Sequence, residues 1–289
     1  MTGILLVDKP EGISSAGVVR LLKERVGGAK VGHLGTLDPF ASGLLPLCVG
    51  EATKVARYLL LERKAYTGTI RLGSETDTLD RTGQVTATAD VPSLSAERLA
   101  TVAAGFLGRQ QQVPPMFSAL KRDGVPLYKL ARRGVEVERE AREVEIERLE
   151  LSPRQADRID FVLACSKGTY VRVLAADLGR ALGTVAHLET LRRTAVGAFQ
   201  VQDAHTPDIL AGMPALPLVP IRSALTGLRS FALGAAVLGQ LRHGQQEPLR
   251  DLPPPACDEA ALVLDDAGAV AALLEAGPRG WRLARLLAD

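Results

Sequence analysis

Strand-like and helix-like stretches follow one another along this chain without a regular period, and that irregularity limits its possible folds more than any other feature. Residues 4–7 form a short apolar run suited to a buried strand, followed by a turn at Lys9-Pro10-Glu11-Gly12. Ser14 or Ser15 can cap a helix with Val18, Val19, Leu22 and Val26 on one face, and Gly27-Gly28 stops it. Residues 32–50 are punctuated by Gly and Pro and read as loop with short elements, and residues 52–62 read as helix. Alternation predicts strands over 66–72, 144–151 and 159–165, the last two as neighbours, and another strand over 196–201. Helices are predicted over 95–107 with Ser95 as cap, over 127–133, and over 170–182 with Val173, Leu174, Leu178 and Leu182 inward. A doubly wound fold would alternate its strands and helices evenly. This chain does not, so the expected class is α/β in the broad sense: an α+β body on a mixed sheet.

The 289 residues are 46% hydrophobic and 24% charged, which supports a packed core and argues against disorder as the main theme. The longest wholly apolar stretches fall far short of a membrane span of ~20 residues. Asp8 and Lys9 interrupt the start of the chain, which argues against a leader. A cytoplasmic protein with no membrane contact is expected. Cys48, Cys165 and Cys257 are odd in number and far apart, and the four histidines form no ligand pair, so neither a disulfide framework nor a metal site is expected. Residues 212–220 carry Pro214, Pro217 and Pro220 and read as a domain margin.

The net charge of +2 hides local imbalance. Six basic residues face three acids over 121–139, five face two over 165–193, and 251–266 hold five acids and no base. The two basic stretches suit either a polyanion-binding face or ordinary solvated surface.

No dinucleotide, P-loop or nucleophile-elbow glycine signature is present. Asp77 and Asp80 lie three apart in a turn, which fits carboxylates holding backbone N–H groups better than a phosphotransfer loop. The segment Gly32-His33-Leu34-Gly35-Thr36-Leu37-Asp38-Pro39-Phe40-Ala41-Ser42-Gly43 fixes an aspartate between a glycine bend and a stiff proline. Its local sequence suits a fixed nucleophile or acid/base, and equally a turn or cap aspartate.

That segment resembles the catalytic motif of the tRNA pseudouridine synthase B family, and four further stretches match in order. They are Asp8-Lys9-Pro10-Glu11-Gly12-Ile13-Ser14-Ser15, Gly50-Glu51-Ala52-Thr53-Lys54, Lys64-Ala65-Tyr66 with Leu72-Gly73 and Thr76-Asp77-Thr78-Leu79-Asp80, and Cys165-Ser166-Lys167-Gly168-Thr169-Tyr170-Val171-Arg172. His187-Leu188 with Leu191-Arg192-Arg193-Thr194 is similar to another family segment. The resemblance runs from about residue 3 to about residue 201, with Leu34 and Ser14 where the family commonly has Thr.

The resemblance implies isomerisation of uridine to pseudouridine at position 55, in the T-arm of tRNA. It implies no cofactor, no metal and no guide RNA, and a monomer. It makes Asp38 the nucleophile, attacking C1′ or C6, with Arg172 paired to it. Such a cation would lower the carboxyl pKa. Tyr66 would stack on the flipped base and take the C5 proton. Tyr170, His33 and Leu191 would contact substrate, and Arg192 and Arg193 would meet phosphates. Asp80 would orient Tyr66 or the RNA loop, while Lys9 and Pro10 shape the pocket floor. It also implies a pseudouridine synthase catalytic domain over 1–215 and a small PUA-like β module that binds RNA over 216–289. Two other readings are a non-catalytic RNA chaperone on the same scaffold and the guide-directed branch of the family.

Overall fold

The computed structural model describes residues 1–60 and 62–287. β1 (Gly3–Lys9) opens the chain, and α1 (Ser15–Leu22) follows from Ser14, whose hydroxyl accepts the Gly17 N–H at 3.0 Å. The helix stops one turn earlier than its apolar pattern suggested, yet Val26 is still buried. Residues 32–50 are not mainly loop. They include the end of β2 (Val31–His33) and all of β3 (Ser42–Val49). β3 is apolar on both faces, so it lacks strand alternation, and Pro46 at its centre reads as a breaker. The helix expected over 52–62 is a tight turn at Gly50–Lys54 followed by the short α2 (Ala56–Leu60).

Next come β4 (Lys64–Leu72), the hairpin of β5 (Ser74–Thr76) and β6 (Val85–Thr88), α3 (Ala96–Gly105) capped by Ser95, and β7 (Gly108–Gln112). A small hairpin of β8 (Lys121–Arg122) and β9 (Val125–Pro126) leads into α4 (Leu127–Ala131). β10 (Arg142–Gln155) and β11 (Arg158–Cys165) pair antiparallel as their alternation suggested. In α5 (Val171–Ala181), Arg172 and Ala175 are buried while Val173 is only half-buried. β12 (Ala186–Val196) starts ten residues before the strand expected at 196–201, because its charged residues mask its alternation. Residues beyond Val196 turn back at Gly197 as β13 (Phe199–Gln200).

α6 (Pro207–Gly212) precedes the proline-rich margin, which is not a free linker. It contains β14 (Leu218–Val219), paired with β1 through Ile4↔Val219 and Leu5↔Leu218. After α7 (Ile221–Ala224), the chain forms β15 (Arg229–Ala232), α8 (Ala235–Arg242), β16 (Ala260–Leu264), β17 (Val270–Gly277) and β18 (Gly280–Leu286).

The main sheet runs in the order β14-β1-β3-β12-β4-β11-β10-β7, with β2 on β3 and β13 on β12. Among its described strands, β3 and β12 pair in parallel and the other neighbours are antiparallel. Its two faces explain why β1 is apolar over residues 4–7 and β3 over residues 44–49. Leu5, Val7, Leu45 and Leu47 pack on one face with Val18 and Leu22 of α1, Leu99 of α3, and Leu174 and Leu178 of α5. Ile4, Leu6, Leu44 and Cys48 pack on the other against Ile221, Leu225, Leu262, Leu264 and Leu273. The C-terminal four-stranded sheet, β15-β16-β17-β18, therefore shares a core with the β1–β3 end of the main sheet. It also has a core of its own, where Trp281 meets Phe231 edge-on at 5.6 Å and donates to the Pro253 carbonyl at 2.7 Å. Among the described residues, no helix is long and apolar enough to cross a membrane, and no cluster of His, Cys, Asp or Glu could hold a metal ion.

Candidate active site

The loop between β2 and β3 carries Asp38, and several parts of the chain pin it. Ser15 on α1 donates to the Leu37 carbonyl at 3.1 Å and accepts the Leu37 N–H at 2.8 Å. The Pro39 carbonyl accepts from Gly12 N at 2.7 Å and from Lys9 Nζ at 3.3 Å. Lys9 is fully buried and also donates to the Pro10 and Ile13 carbonyls. Burial holds its ammonium down at about 8, although Asp38 and Glu11 pull the other way. The residues on both sides of Asp38 are thus fixed by the N-terminal turn, and the Asp38 side chain stays 36% exposed at the mouth of the site.

The loop geometry carries a prediction. Ser15→Ala would leave the buried Leu37 N–H and C=O without their partner, at a cost of about 1–3 kcal/mol. Urea unfolding should register that loss. Unchanged stability would contradict this account of how the loop is held.

Arg172 meets Asp38 across the site. Gln112 fixes the start of α5 by accepting the Tyr170 N–H at 2.7 Å and donating to the Tyr170 carbonyl at 3.1 Å. Arg172 follows in the first turn, where the helix dipole disfavours a cation. The compensation is local. Its Nε lies 2.9 Å from Asp38 Oδ2 and 3.7 Å from Asp80 Oδ2, Nη1 donates to the Thr78 carbonyl at 2.8 Å, and Nη2 donates to the Phe117 carbonyl at 2.7 Å. Asp80 is buried, and its Oδ1 accepts from Thr82 N at 2.9 Å, Thr82 Oγ1 at 2.5 Å and Thr78 Oγ1 at 2.9 Å. Asp77 likewise accepts the Gln84 N–H at 2.9 Å, so both acids act as turn carboxylates. Burial pushes the Asp38 carboxyl above its ordinary value, Arg172 pulls it down, and Asp80 pushes it up again. The net direction is upward. The downward shift expected from the arginine alone is outweighed by burial and by the second carboxylate.

Tyr66 lies on β4 among the apolar residues of the helix-covered face. Burial raises its phenol, and the nearby Arg193 charge lowers it. Leu191, also buried, belongs to the same apolar cluster, and Asp38 is an electrostatic neighbour of both Tyr66 and Tyr170. Tyr170 sits half-buried at the α5 cap, and burial raises its phenol too. His33 is half-buried at the end of β2 with Nδ1 enclosed and unpartnered. Burial, then Arg193, keeps its imidazole below the usual range.

One pair of residues departs from expectation. Arg192 and Arg193 were both expected at phosphates, but consecutive strand residues face opposite sides. Arg192 is partly exposed and forms a two-point ion pair with Asp8 at 2.7 and 3.0 Å. Arg193 is 1% exposed, which leaves it no surface to offer a phosphate. Asp80 was expected to orient Tyr66 or RNA; its contacts go instead to Arg172 and its own turn. Sequence reasoning offered Ser15 only as a possible cap and motif residue, and it missed Gln112. The double-serine run after the first turn was the available signal for Ser15, while no local pattern marks Gln112.

Comparisons with known proteins agree with the motif resemblance. Residues 22–171 match the family described as TruB family pseudouridylate synthase (N terminal domain), and residues 172–215 match the tRNA pseudouridylate synthase B C-terminal domain. The tRNA pseudouridine synthase B of Psychrobacter cryohalolentis is 49% identical over 258 residues, covering 85% of this chain and 71% of the relative. The protein of the same name from Opitutus terrae is 47% identical over 229 residues, covering 78% of this chain and 95% of the relative. Among solved structures, a Cbf5-Nop10-Gar1 complex superposes with TM-score 0.71 at 23% identity, covering 98% of this chain and 84% of that one, which is a likeness of fold.

Proposed function

Since the chain belongs to the TruB family of pseudouridylate synthases, we propose that it isomerises uridine to pseudouridine at position 55 in the T-arm of tRNA, acting as a monomer without guide RNA or cofactor. The observation that carries the reading is the Asp38 carboxylate, partly open and held 2.9 Å from the buried Arg172, with Tyr66 beside it. The target base must leave its stack, at a cost of a few kcal/mol, and stacking on Tyr66 would return ~1–3 kcal/mol. The ionised Asp38 adds to C1′, displacing N1, or to C6, after which the N1–C1′ bond breaks; the base turns, C5 bonds to C1′, and the bond to Asp38 breaks to return the carboxylate. The C5 proton then leaves through the Tyr66 oxygen, which passes its own hydroxyl proton on to solvent, and N1 takes up a proton, so the base ends with as many protons as it began. Arg172 keeps Asp38 charged against burial and against Asp80, while His33, Tyr170 and Leu191 line the substrate side. Residues 1–215 form the catalytic domain in this reading.

Two surfaces support RNA contact. The exposed segment with Lys121, Arg122, Lys129, Arg132 and Arg133 joins the site through Phe117, whose carbonyl Arg172 holds. In the PUA-like module over 216–289, Arg250, Arg279 and Arg282 lie exposed around the Gly277–Gly280 turn.

Asp38 attacks as a carboxylate and titrates above an ordinary aspartate. The single-turnover rate should therefore fall on acidification with a midpoint above about pH 4. An acid limb at or below that value would contradict the site electrostatics. The substrate assignment is tested with full-length tRNA whose uridines are tritiated at C5. One equivalent of tritium should be released per tRNA, and none from a transcript with cytidine at position 55. Equal release from both transcripts would overturn the position.

A further inference from the structure

Arg193 has an unusual setting for a charged residue. It is 1% exposed, makes no salt bridge among the described residues, and has the buried Lys9 and Lys64 as cationic neighbours. A buried charge without a counter-ion is costly, so stability alone does not account for an arginine here. Backbone features aim it. The β12–β4 ladder slips between Arg193 and Ala195, and such bulges redirect side chains beside functional sites. β3 makes its closest approach at Gly43, opposite Arg193, with φ +102°, where any Cβ would run into the Arg193 main chain. Tyr66 is the cross-strand partner of Arg193 on β4, so both side chains leave the same face.

The guanidinium then divides its donors. Nε goes to the Leu44 carbonyl at 2.7 Å and Nη2 to the Gly35 carbonyl at 3.1 Å, and the charge lies beside the cross-strand Tyr66, whose phenol it pulls down. Gly35 opens the pinned stretch that carries Asp38. One rigid planar group therefore holds the chain on both sides of Asp38 and stands beside the tyrosine across the strand.

We propose that Arg193 is a positioning residue that sets the Tyr66 hydroxyl relative to the Asp38 loop, and that it does not bind phosphate. The inference rests on the reading that Tyr66 acts on the flipped base. The test is a double-mutant cycle of Arg193→Lys and Tyr66→Phe, read by single-turnover isomerisation and by RNA binding at several salt concentrations. A lysine ammonium is a compact point donor and cannot span the Leu44 and Gly35 carbonyls as the planar fork does. Arg193→Lys should therefore slow turnover by about 10²-fold, the scale of a small misplacement. RNA affinity and its salt slope should stay unchanged. In the Tyr66→Phe background the same change should cost about tenfold or less, because the hydroxyl it positions is already gone. Equal losses in both backgrounds would overturn the proposal. So would weaker binding with a shallower salt slope, the mark of a lost phosphate contact. Normal turnover by Tyr66→Phe alone would instead remove the reading of Tyr66 itself. Arg193→Gln repeats the cycle if the lysine variant does not fold.

Discussion

Asp38→Asn is expected to lose isomerisation by roughly four orders of magnitude, the scale seen when a nucleophile is removed, while RNA affinity changes by less than about tenfold. The two effects separate because they rest on different groups. Affinity comes from phosphate and stacking contacts spread over a wide surface. Chemistry needs one carboxylate at one place. The amide keeps the size of the carboxyl and leaves the loop pinned by Ser15, Gly12 and Lys9, so folding should be preserved. The measurement is single-turnover release of C5 tritium beside equilibrium binding of the same RNA. Retained turnover would remove Asp38 from the mechanism, and lost binding would make it a contact residue.

The second large effect is expected at Arg172. Its guanidinium is nearly inaccessible and faces two carboxylates and two carbonyls. Arg172→Met would leave Asp80 buried against an apolar side chain, with Asp38 as its like-charged neighbour. Removing one partner of a buried pair costs about 3–5 kcal/mol, which for a chain of this size lowers the melting temperature by roughly 10 °C. The carboxyl of Asp38 would then rise further, moving the acid limb of the rate to higher pH. Arg172→Lys tests whether charge is enough. It should recover part of the stability yet stay about 10²-fold slow, because a single ammonium cannot bond both carboxylates and the Thr78 and Phe117 carbonyls. A melting temperature unchanged in the Met variant, or full activity in the Lys variant, would contradict the network.

Much of this was legible before the structure. A serine cap at 14 or 15, the alternation of β4 and the pairing of β10 with β11 as neighbours all follow from local pattern. What failed did so for physical reasons. β3 is buried on both faces, so its sequence carries no period, and Pro46 is tolerated with its carbonyl still accepting the Leu34 N–H at 2.8 Å. β12 was hidden because it carries Glu189, Arg192 and Arg193 within a sheet interior. That omission also cost the role of Arg193. Once β12 is a strand, its two arginines must face opposite ways, and only one can be at the surface. The upward shift of Asp38 was likewise out of reach, since it depends on burial and on Asp80, 42 positions away in sequence and joined to it through Arg172.

The central claim is isomerisation by this chain alone through Asp38. Its most direct test mixes the purified protein with a T-arm stem–loop tritiated at uridine C5, in chelator and without guide RNA, wild type beside Asp38→Asn. Stoichiometric release by the wild type, and none by a variant that still binds, is the predicted result. Tight binding by the wild type with no release would contradict the account and make the chain an RNA-binding or guide-dependent member of its family.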